Sequence, residues 1–174
     1  MRKRFRNCAL ALIACSSLAL AQSPGAEASG TIGGKSIKIK YSAPSVRGRQ
    51  IFGEGGVVSR DSTYPVWRAG ANAATTLQTD ANLDIGGLNV PAGTYSLYVV
   101  VKDPEKWTLI VNKETGQGGD TYTQNMDLGR VEMKMEKPKA PIETLKYTIT
   151  ASGSTGRLQL EWENHIASVP IRAK

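Results

Sequence analysis

The chain has 174 residues, with 22 Lys or Arg against 15 Asp or Glu, a formal net charge of +7. Four of those bases, Arg2, Lys3, Arg4 and Arg6, lie in the first 21 positions, so residues 22–174 carry only +3 and nothing in that balance calls for nucleic acid. Both cysteines, Cys8 and Cys15, lie there too, which excludes a disulfide or a thiolate-held metal from the rest and leaves a hydrophobic core to hold the fold.

The N-terminus reads as an export segment over residues 1–21. A basic start is followed by an apolar run from Cys8 to Leu20 and by Ala19-Leu20-Ala21, an A-x-A cleavage pattern. The run is shorter than the roughly 20 residues a membrane-spanning helix requires. Cleavage before Gln22 predicts a periplasmic or extracellular protein. The rival reading takes Leu12-Ile13-Ala14-Cys15 as a lipobox, and only a lipidated Cys15 would place the protein on a membrane. Residues 22–35, small, polar and Gly-rich, predict a flexible leader ahead of one domain over 36–174.

From Ser36 onward the pattern has period two. Ile37, Ile39 and Tyr41 face one way and Lys38 and Lys40 the other. Further strands are predicted around 74–79, 82–85, 94–101 and 107–112. Gly86-Gly87 has the chemistry of a hairpin turn, Pro91-Ala92-Gly93 that of a type I turn, and Asp103-Pro104-Glu105-Lys106 that of a tight reversal. In "GRVEMKME", Val131, Met133 and Met135 alternate with charged residues. "KPKAPI" (137–142) is expected to connect the sheets. Strands around 144–150, 157–163 and 166–171 follow, with Leu158, Leu160 and Trp162 on one face and Gln159, Glu161 and Glu163 on the other. Clean alternation without helical periodicity predicts an all-β fold, a two-layer antiparallel β-sandwich, jelly-roll-like, of about nine strands.

Arg47 and Arg49 flank Gly48. In an extended segment, side chains two apart share a face at roughly 6.6 Å, which suits two guanidinium groups around one carboxylate or phosphate. Arg68 and Asn72, in "WRAGAN", add a third guanidinium and an amide that both donates and accepts. The competing account has these arginines paired with a glutamate such as Glu161, or donating to loop carbonyls. Trp107 and Trp162 fall on core faces, whereas Trp67 lies in a loop-like stretch and is the tryptophan expected to meet a ligand.

Glu161, Glu163 and His165 are the alternative, acid–base constellation, although no nucleophile elbow or metal motif accompanies them and both glutamates sit on a wet strand face. "DANLDIGG" spaces Asp80, Asn82 and Asp84 two apart, but Ile85 and Pro91 occupy the places where a calcium loop needs Gly and Glu. No metal, cofactor or catalytic residue is assigned.

"YSAPSVRGRQIFG" (41–53), "VWRAGANAAT" (66–75), "IGGLNVPAGTYSL" (85–97), "WTLIVN" (107–112) and "LEWE" (160–163) together resemble the bacterial secreted family catalogued as domain of unknown function 2911. The resemblance carries over the polar positions Ser42, Ser45, Arg47, Arg49, Arg68, Asn72 and Thr75, and implies no activity. Two departures stand out. "VVSRDSTYP" (57–65) intervenes where a short Pro-Tyr-Gly segment is usual, and Gln117-Gly118-Gly119 lacks a tryptophan common there, so a pocket shaped by that ring would differ here. The expectation is an exported, non-catalytic binding module for a small anionic or carbohydrate ligand, centred on Arg47, Arg49, Arg68, Asn72 and Trp67. A hydrolase using Glu161, Glu163 or His165, or a purely structural interaction domain, is the alternative.

Overall fold

A computed structural model describes residues 22–174; the predicted export segment and Cys15 lie outside the described residues. Two antiparallel sheets face each other. The first runs β1 (Gly25–Ile32), β2 (Lys35–Ser42), β4 (Thr75–Thr79), β7 (Gly93–Asp103), β8 (Lys106–Asn112) and β9 (Asp127–Glu132), with the short β3 (Val66–Trp67) also on β7. The second runs β11 (Ile142–Ser152), β12 (Thr155–Glu163), β13 (His165–Ala173), β5 (Leu83–Ile85) and β6 (Leu88–Val90), with β10 (Lys134–Glu136) also on β13. The sandwich expected from the alternation is present, built among the described residues of thirteen strands instead of about nine.

The extra strands have identifiable causes. Residues 22–35 do not form a flexible leader. β1 pairs with β2 along its whole length, from Gly25 opposite Ser42 to Ile32 opposite Lys35. Gly33-Gly34, at φ 57° and 76°, makes the two-residue turn, the same device as Gly86-Gly87 between β5 and β6. β1 is poor in large apolar residues because it lies against β11: a Cβ on Gly30 would sit 2.6 Å from Ile149 Cγ2.

"GRVEMKME" is not one strand either. β9 pairs with β8, the chain crosses over at Met133, and β10 pairs with β13. The Met133 N–H donates to the Trp107 carbonyl at 2.9 Å across that crossing. Residues 137–142 therefore join two strands of the same sheet, and the passage between sheets lies at Met133.

Inward residues of both sheets make one core that includes Ile37, Ile39, Leu97, Leu109, Leu158 and Leu160. At one end it becomes aromatic. Phe52 touches Trp67, Trp107, Trp162 and His165 with centroid distances from 4.7 to 5.7 Å, and Trp67 stacks on Trp162 at 5.8 Å. Trp67 is thus a core residue, 1% exposed, and not a ligand platform. β3 places it opposite Val99, on the inward face of β7, and its indole N–H is satisfied by the Gly70 carbonyl at 3.1 Å.

The stacked pair yields the first prediction. Trp67→Ala and Trp162→Ala should each cost about 3–5 kcal/mol, and the double variant should lose less than the sum because the rings share one contact. Urea denaturation of the three variants measures this. A Trp67→Ala loss below about 1 kcal/mol would contradict the assignment of Trp67 to the core.

Candidate functional site

β7 and β8 break the alternation that the other strands keep. Leu97, Val99, Leu109 and Val111 point into the core, yet Ser96, Tyr98, Ile110 and Asn112, which point the opposite way, are buried too. A strand covered on both faces reads as a continuous apolar run, and "YSLYVVV" and "WTLIV" are such runs. The outer cover is a strap, residues 113–126, laid across the first sheet.

One side chain ties down both ends of the strap. Asn112 Oδ1 accepts the Glu114 N–H at 2.9 Å, while Nδ2 donates to the Thr123 carbonyl at 3.0 Å and to Asp127 Oδ1 at 2.9 Å. Asp127 Oδ2 accepts from the Tyr122 hydroxyl at 2.8 Å and from Arg130 Nε at 3.0 Å. Tyr122 is pushed up to about 12 by burial first and then by Asp127, which its proton serves. Midway along the strap, Gln117 Nε2 donates to the Tyr98 hydroxyl at 2.8 Å, and that hydroxyl donates to the Thr121 carbonyl at 2.9 Å.

Arg68 reaches the same outer face. β3 turns Trp67 inward, so the next residue points outward. The loop beyond is tight: Ala69 and Asn72 hold φ of 55° and 59°, a region costly for residues other than Gly. The Ala69 carbonyl is anchored by the Thr75 hydroxyl at 3.0 Å and the Tyr147 hydroxyl at 2.8 Å. Gly119 of the strap lies against the guanidinium, where a Cβ would come within 2.6 Å of an Arg68 terminal nitrogen.

Five buried side-chain atoms lack a hydrogen-bond partner among the described residues, and they fall in two places. Three belong to the polar cluster around Tyr98 beneath the strap: Arg68 Nε, Glu114 Oε2 and Gln117 Oε1. An unsatisfied buried polar atom costs about 1–3 kcal/mol, so three around one tyrosine call for an explanation. Arg68 is not idle, since its terminal nitrogen lies 3.4 Å from Asp61 Oδ1. That contact is long. Burial raises the Asp61 carboxyl above its ordinary range more than Arg68 lowers it, so the pair is imperfectly compensated. Tyr98, raised mainly by burial, feels Glu114, Arg68 and Asp127 together, which places all three charges around its hydroxyl.

The other residues singled out from the sequence do not share this cluster's partners. Arg49 donates to the Val46 and Ser45 carbonyls at 3.0 and 2.7 Å and locks its own turn. Arg47, at φ 50°, uses its backbone N–H to bind Glu143 Oε1 at 2.8 Å. The two do not bracket one group, and the segment is a turn, not an extended strand. Asn72 donates to the Ser23 carbonyl at 3.1 Å and to Ser42 Oγ at 3.2 Å, tying the loop to the chain before β1.

The acid–base constellation divides. Glu161 stays on the outer face of its sheet, accepting from Gln159 at 2.9 Å and pairing with Lys146 at 3.1 Å. Glu163, at φ 53° on the hairpin tip, turns inward and is half-buried: Oε1 accepts the Ile51 N–H at 3.0 Å, and Oε2 lies 3.5 Å from His165 Nδ1. That nitrogen and Trp107 Nε1 are the remaining two unpartnered atoms, and their rings stack at 5.0 Å. Burial pushes His165 down, with Glu163 opposing and Lys137 adding to it. Among the described residues no group of three His, Cys, Asp or Glu is placed to hold a metal.

The chain matches the family described as Protein of unknown function (DUF2911) over residues 23–171, and it belongs to that family. The match begins two residues before β1, in keeping with that strand's place in the sheet. No curated protein and no solved structure matches the chain.

Sequence reasoning missed Tyr98, Asn112, Glu114 and Gln117. Asn112→Ala should cost about 2–3 kcal/mol, because it strands a half-buried donor at Glu114 and a half-buried acceptor at Thr123 at once. It should also expose residues 113–123 to proteolysis. Urea denaturation and limited digestion check this, and a loss below about 0.5 kcal/mol with unchanged digestion would contradict the clamp.

Proposed function

We propose that the protein is an exported, non-catalytic binding module for a small neutral polyhydroxylated ligand, a carbohydrate or polyol, received under the strap at Arg68, Tyr98, Glu114 and Gln117. One observation carries the reading: three buried atoms left without partners around one tyrosine, one of them a donor and two of them acceptors. Buried polar groups are nearly always paired, and a cluster of exceptions marks a place for something else. Sugar hydroxyls donate and accept at once, and so match a mixed set.

Charge separates this ligand from an anion. Arg68 is already faced by Asp61 at 3.4 Å, and the carboxylates of Glu114 and Asp127 act on the same tyrosine. A phosphate would meet more negative than positive charge. The strap supplies a way in. Gly116, Gly118 and Gly119 bring little side-chain bulk, and Gly116 holds φ 82°. Lifting that segment would expose these polar groups while Asn112 keeps both ends attached. Export rests on the N-terminal pattern, and membrane attachment would follow only from lipidation at Cys15.

The test is thermal stabilisation by a panel of neutral hexoses and N-acetylhexosamines, with phosphate at matched ionic strength as the contrast. A ligand at a hundred times its Kd adds about 2.7 kcal/mol to the folded state. At least one sugar should raise Tm in a saturable way, phosphate should not, and Gln117→Met should abolish the effect while remaining folded. Stabilisation by phosphate alone would restore the anionic ligand. No response to any of them would favour a structural domain.

A further inference from the structure

His165, whose Nδ1 is one of the two remaining unpartnered atoms, lines an open groove of about 460 Å³ at the aromatic end of the sandwich. The geometry points to a second ligand site there, one that takes a small neutral molecule with an apolar body and a single hydroxyl donor, of the phenol class, with His165 as the acceptor.

The groove lies between the β7–β8 turn, which contributes Pro104 and Glu105, and the end of β10, which contributes Met135 and Glu136. His165 forms part of its floor. The imidazole is fixed on several sides. Trp107 stacks on it at 5.0 Å and Phe52 meets it edge-on at 4.9 Å. Its Nδ1 is buried and faces Glu163 Oε2 at 3.5 Å, a distance that attracts without a well-aligned hydrogen bond. A carboxylate on that side favours the proton on Nδ1 and leaves Nε2 as a bare acceptor. Nε2 is the nitrogen left to meet the groove.

The rim is charged but balanced. Lys137 lies 3.7 Å from Glu105, and Glu136 lies 2.6 Å from Lys134. With both signs paired, the rim selects neither an anion nor a cation. The apolar walls, Pro104 and the thioether of Met135, suit a flat ring. The volume lies within the range of small-molecule sites. The charged groups around His165 are Glu163 at the β12 tip, Lys137 beyond β10, and Glu105 and Glu136 at the rim.

His165 is the single histidine of the chain, so its imidazole nitrogens can be followed by ¹⁵N NMR without ambiguity. The protein is titrated with 4-methylphenol and with 4-methylanisole, which has the same ring and no donor. The phenol should shift Nε2 in a saturable way, and the anisole should bind about tenfold more weakly, as expected for one neutral hydrogen bond. Acidification that protonates the ring should abolish the difference, because Nε2 then donates. His165→Phe keeps a ring on Trp107 and should remove the preference for the phenol. Equal binding of both compounds, or no saturable shift with the phenol, would overturn the proposal without recourse to any variant.

Discussion

Asn112 holds the outer layer of this sandwich in place. It is fully buried, and its single amide satisfies backbone groups at both ends of the strap, Glu114 and Thr123, as well as Asp127. Without that clamp, Tyr98 and Ile110 would face water on a sheet whose other side already forms the core. Burying each contributes roughly 1.5–3 kcal/mol, so the strap and the strands beneath it stabilise each other.

The aromatic end and the strap side of the molecule are built differently. The end built from Phe52, Trp67, Trp107 and Trp162 is densely aromatic, and it fixes Glu163 and His165 in one arrangement. Across the first sheet, Arg68 is held beside an Asp61 that burial keeps reluctant to ionise, and beneath a glycine-rich cover. A polar cluster with incomplete pairing in a low-dielectric site is costly. It persists because the scaffold under it is over-determined: Trp67 is locked in the core, and the Ala69 carbonyl accepts two hydroxyls. These pin the backbone on both sides of Arg68 regardless of what its guanidinium meets.

The fold was legible where one face of a strand is wet. Ile37 and Ile39 in β2, or Leu158, Leu160 and Trp162 in β12, announce register and burial because water on the other face admits Lys, Gln and Glu. β1 was not legible, since packing against β11 demands small residues such as Gly30 and removes the apolar signal; the Gly33-Gly34 turn was the cue that remained. Trp67 was misread because two strand residues between loops carry no period. Of the site, only Arg68 was found. Arg47 and Arg49 drew notice through a spacing that has meaning only in an extended chain, and Arg47 is in a left-handed turn. Tyr98 and Asn112 were visible as exceptions within unusually apolar strands, but their partners come from a loop, where no periodicity says what lies over what. Glu163 escaped its wet face because the hairpin tip rotates it inward.

In the proposed binding role, the Arg68 Nε–H, which has no partner among the described residues, would gain an acceptor from the ligand. Its ¹⁵N resonance, assigned by comparison with an Arg68→Lys variant, reads that directly. In the unliganded protein it should show the shift of a donor without a strong acceptor, and saturation with a stabilising sugar should move it, whereas phosphate should leave it in place. A resonance already in the position of a strongly hydrogen-bonded guanidinium, and unmoved by any sugar, would mean that the polar cluster under the strap is satisfied from within and is structural.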